Sequence, residues 1–527
     1  MRNYLKRKIS GSVMAILAIL VLHVGGAVAQ PLPGARPANQ QGTGEQRTAQ
    51  HFESLRKSPP QLLAFLLQMP KGADLHNHLS GSIYAESYIQ WAIANGLCVN
   101  VKTLVLSPSS PPGKCDPKSD LTAVSTAIAN SVLYRQMIDA WSMRNWQLSG
   151  DSGHDHFFDT FIKFGPATWN QTGAMLAETV ARAARGHVSY MELMLTPDGG
   201  VSSQIGEKVG WDGDFAGTLA KLQTNGISQA LTAAAKNLQD AEAEKARLLK
   251  CGTPQADPGC AVTVRYIAQV SRGSALGQVY AQMVTGFALA NDPASRVVAL
   301  NLVQGEDGLS SMQNFSLHMQ MLKFLRPLYP NARVTLHAGE LAPGIVPPDG
   351  LAFHIRESVM IAGAERIGHG VDIMHESEPY ELLKEMARRN VMVEVCLSSN
   401  DLILGISGRQ HPLATYLEYG VPVALATDDE GVSRSEISRE FLRAAEDQGL
   451  GYLQLKRLAR NSLQYAFIQG GGLWKDEGKL IPAGPCVLDH RMMKLSSPGC
   501  EQYLAGNEKA RLQWKLEMDF YDFERTH

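Results

Sequence analysis

The sequence predicts an α/β protein built as a (β/α)8 TIM-type barrel, with an insertion after the first strand and extensions at both ends. Three observations predict it. Strand-like and helix-like segments alternate along the chain, and the strand-like ones number eight. Four of those runs carry acidic or imidazole residues at or near their ends: His76 and His78, His337 and Glu340, His369, and Asp428 with Asp429. A parallel barrel gathers such strand ends at one face, where it builds its site. The length, 527 residues, is long for one domain but suits one decorated barrel.

The N-terminus lies outside this pattern. Arg2, Lys6, Arg7 and Lys8 precede an apolar run of 10 residues, Val13 to Leu22, and Ala27-Val28-Ala29 supplies small residues for cleavage. Residues 1–29 read as a secretory signal peptide cut after Ala29, so the chain is expected to be exported, to a periplasm or to the medium. An uncleaved anchor is disfavoured because a span needs about 20 apolar residues. Formal net charge is −2, and −6 once the four basic residues leave. Neither value carries a nucleic-acid or membrane-surface footprint. Residues 30–50, rich in Pro, Gly and Gln, read as a flexible leader, which leaves 51–527 as the barrel with its additions. Ser54 to Met69 reads as a helix interrupted by Pro59 and Pro60, and Pro70-Lys71-Gly72 ends it.

The predicted strands are Gly72 to Leu79, His187 to Leu195, Ala261 to Val270, Arg296 to Val303, Arg333 to His337, Glu365 to His369, Val391 to Leu397 and Val421 to Thr427. Helical periods fall between them, as in Ala174 to Arg185, Gly217 to Leu249 and Glu381 to Arg389. More than 100 residues separate the first two strands, where one βα unit needs about 30. Residues 98–150 are therefore read as an insertion with a Ser/Pro-rich tip, and 475–527 as a C-terminal extension.

Cysteine placement follows this layout. Cys98 and Cys115 bracket the insertion, Cys251 and Cys260 a loop before the third strand, and Cys486 and Cys500 lie in the extension. Export favours oxidation of such local pairs, giving three disulfides and leaving Cys396 as a buried thiol inside the seventh strand.

His76 and His78 are two apart on a strand, so both imidazoles face one side. His337 adds a third nitrogen and Asp428 a carboxylate. Three imidazoles and a carboxylate leave one coordination position free, as hydrolytic Zn2+ sites require, with other divalent ions open on donor type. Glu340 can shuttle a proton, or stabilise the start of a helix. His369, between two glycines, can orient or deprotonate a water, or sit satisfied in the core. Asp429 can hydrogen-bond substrate or water. His154 and His156 can in principle bind metal, but they lie in the insertion and read as structural; His411, before a proline, serves loop structure, and His354 and His375 read as surface or capping residues.

Together His76-x-His78, His337-Ala338-Gly339-Glu340, Ile367-Gly368-His369-Gly370 and Thr427-Asp428-Asp429 resemble the signature set of the adenosine deaminase family. Tyr190 to Leu193, Gln304 to Asp307 and Glu394 to Asn400 extend the resemblance, which runs from about Pro70 to about Phe467. The export signal, paired cysteines and insertion look most like the secreted adenosine-deaminase-related growth factor branch. The resemblance implies one zinc per chain on His76, His78, His337 and Asp428. It implies that Glu340 protonates purine N1, His369 positions the attacking water, Asp429 accepts a hydrogen bond from the ring near N7, and the N–H of Gly305 contacts N3. The implied reaction is deamination of adenosine, and of 2′-deoxyadenosine, to the inosine product and ammonia. Another amino-purine nucleoside or nucleotide, or a signalling or nucleoside-binding role, are the competing readings. The branch also implies a homodimer built through the insertion and the N-terminal helix. Ser80 departs from the family pattern, which has an acidic residue there, facing the sugar.

Overall fold

The computed structural model describes residues 43–476 and 478–527. The expected signal peptide and the first part of the leader lie outside the described residues. Eight parallel strands follow one another around a single sheet in chain order: β1 (Gly72–His78), β2 (Val188–Leu195), β3 (Thr263–Ser271), β4 (Val297–Val303), β5 (Arg333–Ala338), β6 (Arg366–His369), β7 (Met392–Val395) and β8 (Val423–Leu425). Their ends differ from the sequence expectation by no more than two residues. β1, β6, β7 and β8 are buried along their whole length, as expected for parallel strands covered on both faces. Among the described residues no helix is long and apolar enough to cross a membrane.

The ring closes between β8 and β1 by an unusual seam. The two strands share one bridge, Asn77 with Asp428, just beyond β8. There Asp428 N–H donates to His76 O at 2.8 Å and His78 N–H donates to Asp428 O at 3.1 Å. Side chains sew the rest. Thr427 Oγ1 donates to Asp74 at 2.5 Å, and Asn77 Nδ2 donates to Thr427 Oγ1 at 2.8 Å. Lower down, the helix Tyr452–Gln464 covers the gap: Ser462 Oγ accepts from Ala73 N–H at 2.7 Å and Asn461 Nδ2 donates to Val423 O at 2.9 Å.

Several helices differ from expectation for local reasons. The leader expected to be flexible is helical from Gly44 to Leu55, because Thr43 and Gln46 form a capping box. Pro59 and Pro60 do not interrupt a helix; they begin one, Pro59–Gln68, in the first turn where no N–H is needed. The long period from Gly217 to Leu249 is two helices, Phe215–Thr224 and Ser228–Leu248, split where Gly226 takes φ +85° after Asn225. β7 stops at Val395, so Cys396 lies past the strand, at the start of the helix Leu397–Leu404, and is buried there.

Between β1 and β2 the chain forms the helix Ala85–Ala94, a three-stranded antiparallel sheet with Cys98–Asn100 at its centre, and the helices Ser131–Ala140 and Gly153–Phe164. The last of these lies so close to Leu397–Leu404 that a Cβ on Gly153 would come within 2.0 Å of Leu402 O. At the C-terminus a small cluster of Leu473, Cys486, Cys500 and Trp514 packs beneath the final helix, Glu508–Thr526. That helix joins the N-terminal one through Lys456, whose Nζ reaches Glu45 at 2.8 Å and Glu524 at 2.5 Å.

The cysteines pair as their placement suggested: Cys98–Cys115, Cys251–Cys260 and Cys486–Cys500, with Cys396 free. Thiol titration of the denatured, unreduced protein should therefore find one thiol per chain, against seven after reduction. Two or more before reduction would contradict the pairing.

Candidate active site

Every residue singled out at the strand ends comes to the same face of the barrel. His76 and His78 end β1, His337 lies one residue before the end of β5, and Asp428 follows β8. His76 Nε2 and His78 Nε2 each lie 3.1 Å from His337 Nε2, and 3.5 and 3.4 Å from Asp428 Oδ1. All four residues are buried. Donors held at about 2.0–2.1 Å around a tetrahedral ion stand roughly 3.3–3.4 Å apart, so this spacing suits one divalent cation.

The outer ring nitrogens are spoken for. His76 Nδ1 is 2.6 Å from Glu394, and His337 Nδ1 is 2.9 Å from Asn301 Oδ1. Donation to these oxygens leaves each Nε2 lone pair facing inward, as a metal ligand requires. The Gln269 amide lies 2.8 Å from His78 Nδ1, and Ser399 Oγ donates to Asp428 Oδ2 at 2.6 Å. Burial alone would keep His76 neutral, but hydrogen bonds with Asp428 and Glu394 carry it up to about 10. Two carboxylates against one ring mark a spot that demands positive charge. A second convergence of His369, Cys396 and Asp428 shares Asp428, and burial holds the Cys396 thiol protonated.

Glu340, three residues past His337, is buried, and burial with Asp428 and Glu306 nearby pushes its carboxyl well above the usual range. Its surroundings thus favour the protonated form more than an ordinary glutamate's do. Its Oε1 lies 3.6 Å from His369 Nε2. Asp429 is raised likewise, by burial and by Asp428. Glycines make room for His76 and Asp429. A Cβ on Gly368 would sit 2.5 Å from His76 Cε1, and one on Gly81 would sit 1.5 Å from Asp429 Oδ1.

These groups open into a cavity of about 640 Å³. His78, Gln269, Glu340 and Asp429 line its floor, and Ser80 and Gly305 also face it. Its roof is the Gly153–Phe164 helix, through Phe157, Phe158 and Phe161. A larger cavity, about 770 Å³, opens at the opposite ends of the strands around Val297, Arg333 and Arg366 and has none of the four donors. The chemistry belongs to the smaller one.

Three expectations about histidines need correction. His354 is neither at the surface nor a cap: it is fully buried, stacked on Phe315 at 3.9 Å, with Nδ1 2.6 Å from Glu306. Glu306 in turn accepts from the N–H groups of Gly339 and Glu340, at 3.1 and 2.8 Å. The pair thus holds the turn that aims Glu340. His154 is not merely structural: it lines the cavity and meets Asp307 at 3.1 Å. His411 does more than support a loop, since it bonds Asn400, which bonds His369. His156 meets the backbone carbonyls of Asp139 and Ser142 through Nε2 and Asp151 at 3.9 Å through Nδ1, and His375 is exposed. Glu306 and Asn400 stood inside recognisable motifs, yet nothing in their spacing revealed their partners.

A family model described as adenosine deaminase matches residues 166–472, more than half of the chain. An adenosine deaminase of Yersinia pseudotuberculosis serotype O:1b (strain IP 31758) is 39% identical over 137 residues, 26% of this chain and 38% of the relative. One from Aliivibrio fischeri (strain MJ11) is 34% identical over 175 residues, 33% of this chain and 47% of the relative. The chain thus spans less than half the length of these relatives. Among solved structures, an adenine deaminase of Arthrobacter aurescens is similar at TM-score 0.48 and 18% identity, over 78% of this chain and 97% of that one. The Arabidopsis N6-mAMP deaminase is similar at 0.49 and 18%, over 79% and 98%. With the match of the family model to residues 166–472, the chain belongs to the adenosine deaminase family.

Proposed function

We propose that this protein is an exported zinc-dependent hydrolase that deaminates adenosine and 2′-deoxyadenosine. The observation that carries the reading is Glu340: a buried carboxyl whose environment favours its protonated form, in a cavity lined also by three of the four converging metal-type donors. Binding alone has no use for such an acid, which weighs against a purely nucleoside-binding role.

His76, His78, His337 and Asp428 would hold the ion. When bound, zinc would supply a Lewis acid and make hydroxide available near neutral pH. The chain's own groups do the rest. Glu340 gives its proton to N1 as the water oxygen bonds to C6, so the ring becomes tetrahedral there. The water's two protons are then given up, one to the amine, which leaves as ammonia, and one back to the emptied Glu340 carboxylate, which restores the acid. His369 Nε2, buried and without a protein partner, faces Glu340 and is placed to hold the incoming oxygen. N7 is an acceptor, so a hydrogen bond between it and Asp429 needs the proton on the carboxyl, the form that burial and Asp428 favour.

The main competing substrate is a purine nucleotide. The lining argues for the nucleoside. Among the described residues no lysine or arginine faces the cavity, whereas Asp307 and Asp429 do. His154 is raised to about 9 by its hydrogen bond to Asp307, so its charge is already engaged. A phosphate would enter next to acids without a free cation. Ser80 offers a hydroxyl toward the sugar.

Adenosine turnover by the mature chain, followed as loss of adenine absorbance, should fall about 10²- to 10⁴-fold in Glu340→Gln. It should vanish on metal stripping and return with zinc. Glu340→Gln within about tenfold of wild type would sink the proton role. AMP should be turned over at least about 10²-fold less efficiently than adenosine, the opposite ratio favouring the nucleotide reading. Glu394→Gln, which removes the charge behind His76, should weaken zinc binding about 10- to 100-fold in a chelator competition; unchanged affinity would show that Glu394 serves the fold alone.

A further inference from the structure

Behind His369 runs a chain of polar groups that ends on the backbone. The N–H of Leu413 lies 3.1 Å from His411 Nδ1. A backbone amide can only donate, so Nδ1 is the bare nitrogen of that ring and the proton of the neutral imidazole sits on Nε2. Burial, with Arg443 nearby, favours the neutral ring. Nε2–H then donates to Asn400 Oδ1 at 3.1 Å. This sets the direction of the amide: its Nδ2, which can only donate, faces His369 Nδ1 at 3.0 Å. His369 Nδ1 is therefore an acceptor, and a doubly protonated His369 would put two N–H groups against each other. The single ring proton lies on Nε2, which is buried, has no partner in the protein and stands 3.6 Å from Glu340 Oε1.

We propose that Asn400 and His411 are positioning residues that lock His369 in its Nε2–H tautomer, so that it presents a hydrogen-bond donor, and not a base, to the reacting oxygen. Sequence reasoning left orientation and deprotonation both open for His369; the relay selects orientation. The whole device is set by one main-chain N–H, which no side-chain rotation can reverse. The part played toward the reacting oxygen rests on the deaminase reading above, whereas the tautomer does not.

Neutron diffraction from deuterium-exchanged crystals of the zinc-loaded wild-type chain tests the tautomer directly. Deuterium is expected on Nε2 of both His369 and His411 and on neither Nδ1. Deuterium on His369 Nδ1 would overturn the proposal, whether or not the chain deaminates purines. Kinetics test its consequence. Asn400→Asp replaces the donor with an acceptor of the same shape. At alkaline pH, where the new carboxylate is ionised, it accepts from both rings and reverses His369. There kcat should drop about 10²- to 10⁴-fold, as reversed imidazole tautomers do elsewhere, with KM within about threefold. His411→Gln can still donate to Asn400 and should keep kcat within about threefold, whereas His411→Phe should lose about tenfold or more. An unchanged kcat in Asn400→Asp, or equal losses in the two His411 variants, would reduce the relay to packing.

Discussion

The closure of the barrel between β8 and β1 is the constraint on which the rest depends. Seven of the eight strand junctions are ordinary parallel ladders, but this one is a single bridge at Asn77 and Asp428. The bridging backbone groups belong to His76, His78 and Asp428, three of the four converging donors. Closing the barrel and assembling the donor set are thus one event. Orientation is locked in the same step, because a carbonyl and an N–H fixed in a ladder leave the side chain few directions. The remaining length of the seam is held by Asp74, Thr427 and Asn77, polar groups buried inside the barrel. They are tolerated there because each has a partner.

Charge burial follows from the same arrangement. Glu394, Asp428, Glu306, Glu340 and Asp429 all lie inside the protein, where an unpaired ion costs several kcal/mol. Partners divide them into two kinds. Glu394 is held between His76 and Arg366, each at 2.6 Å, with Arg366 also at 2.6 Å from Glu192. Glu306 is held by His354 and two backbone N–H groups. These two stay below the usual carboxylate range although burial opposes it. Glu340 and Asp429 lack such cationic contacts and are raised. The chain thus separates carboxylates that support from carboxylates that carry protons by giving cations and N–H donors only to the former.

What the sequence showed was whatever repeats locally. Apolar runs located all eight strands, and the four that end on or near His, Asp or Glu located the donors at their tips, because a strand and its terminal side chain are set within a few residues. Cysteine pairs no more than 17 residues apart were legible for the same reason. What stayed hidden were partners brought together by closure. Glu306 meets His354 across 48 positions and Glu394 meets His76 across 318, and no periodicity links them. The roof helix Gly153–Phe164 was missed in another way. Its aromatic residues Phe157, Phe158 and Phe161 carry no strand-end signal, and they face the cavity where Gly153 docks on Leu402. The capping box at Thr43 was a local signal, obscured by the composition around it.

Backbone conformation binds these threads together. Gln304, His369 and Asp428 all take positive φ, at 82°, 68° and 57°, which costs each about 1–3 kcal/mol where nothing compensates. Each follows a strand, or ends one, at the face that carries the donors. Each is also over-determined by its neighbours. Asp428 is held on both sides by the closing bridge, and Gln304 Oε1 accepts from Gly273 N–H at 3.0 Å. His369 sits between Gly368, which the His76 ring leaves no room to enlarge, and Gly370, whose carbonyl accepts from Tyr416 at 2.6 Å. A left-handed residue turns its side chain off the strand direction, toward the barrel axis rather than along the alternation of the sheet. The four donors meet at one point because a pleat alone would have aimed Asp428 elsewhere, and His369 reaches Glu340 for the same reason. Strain and chemistry therefore meet at His369 and Asp428, and the contacts that hold the first there also place the second.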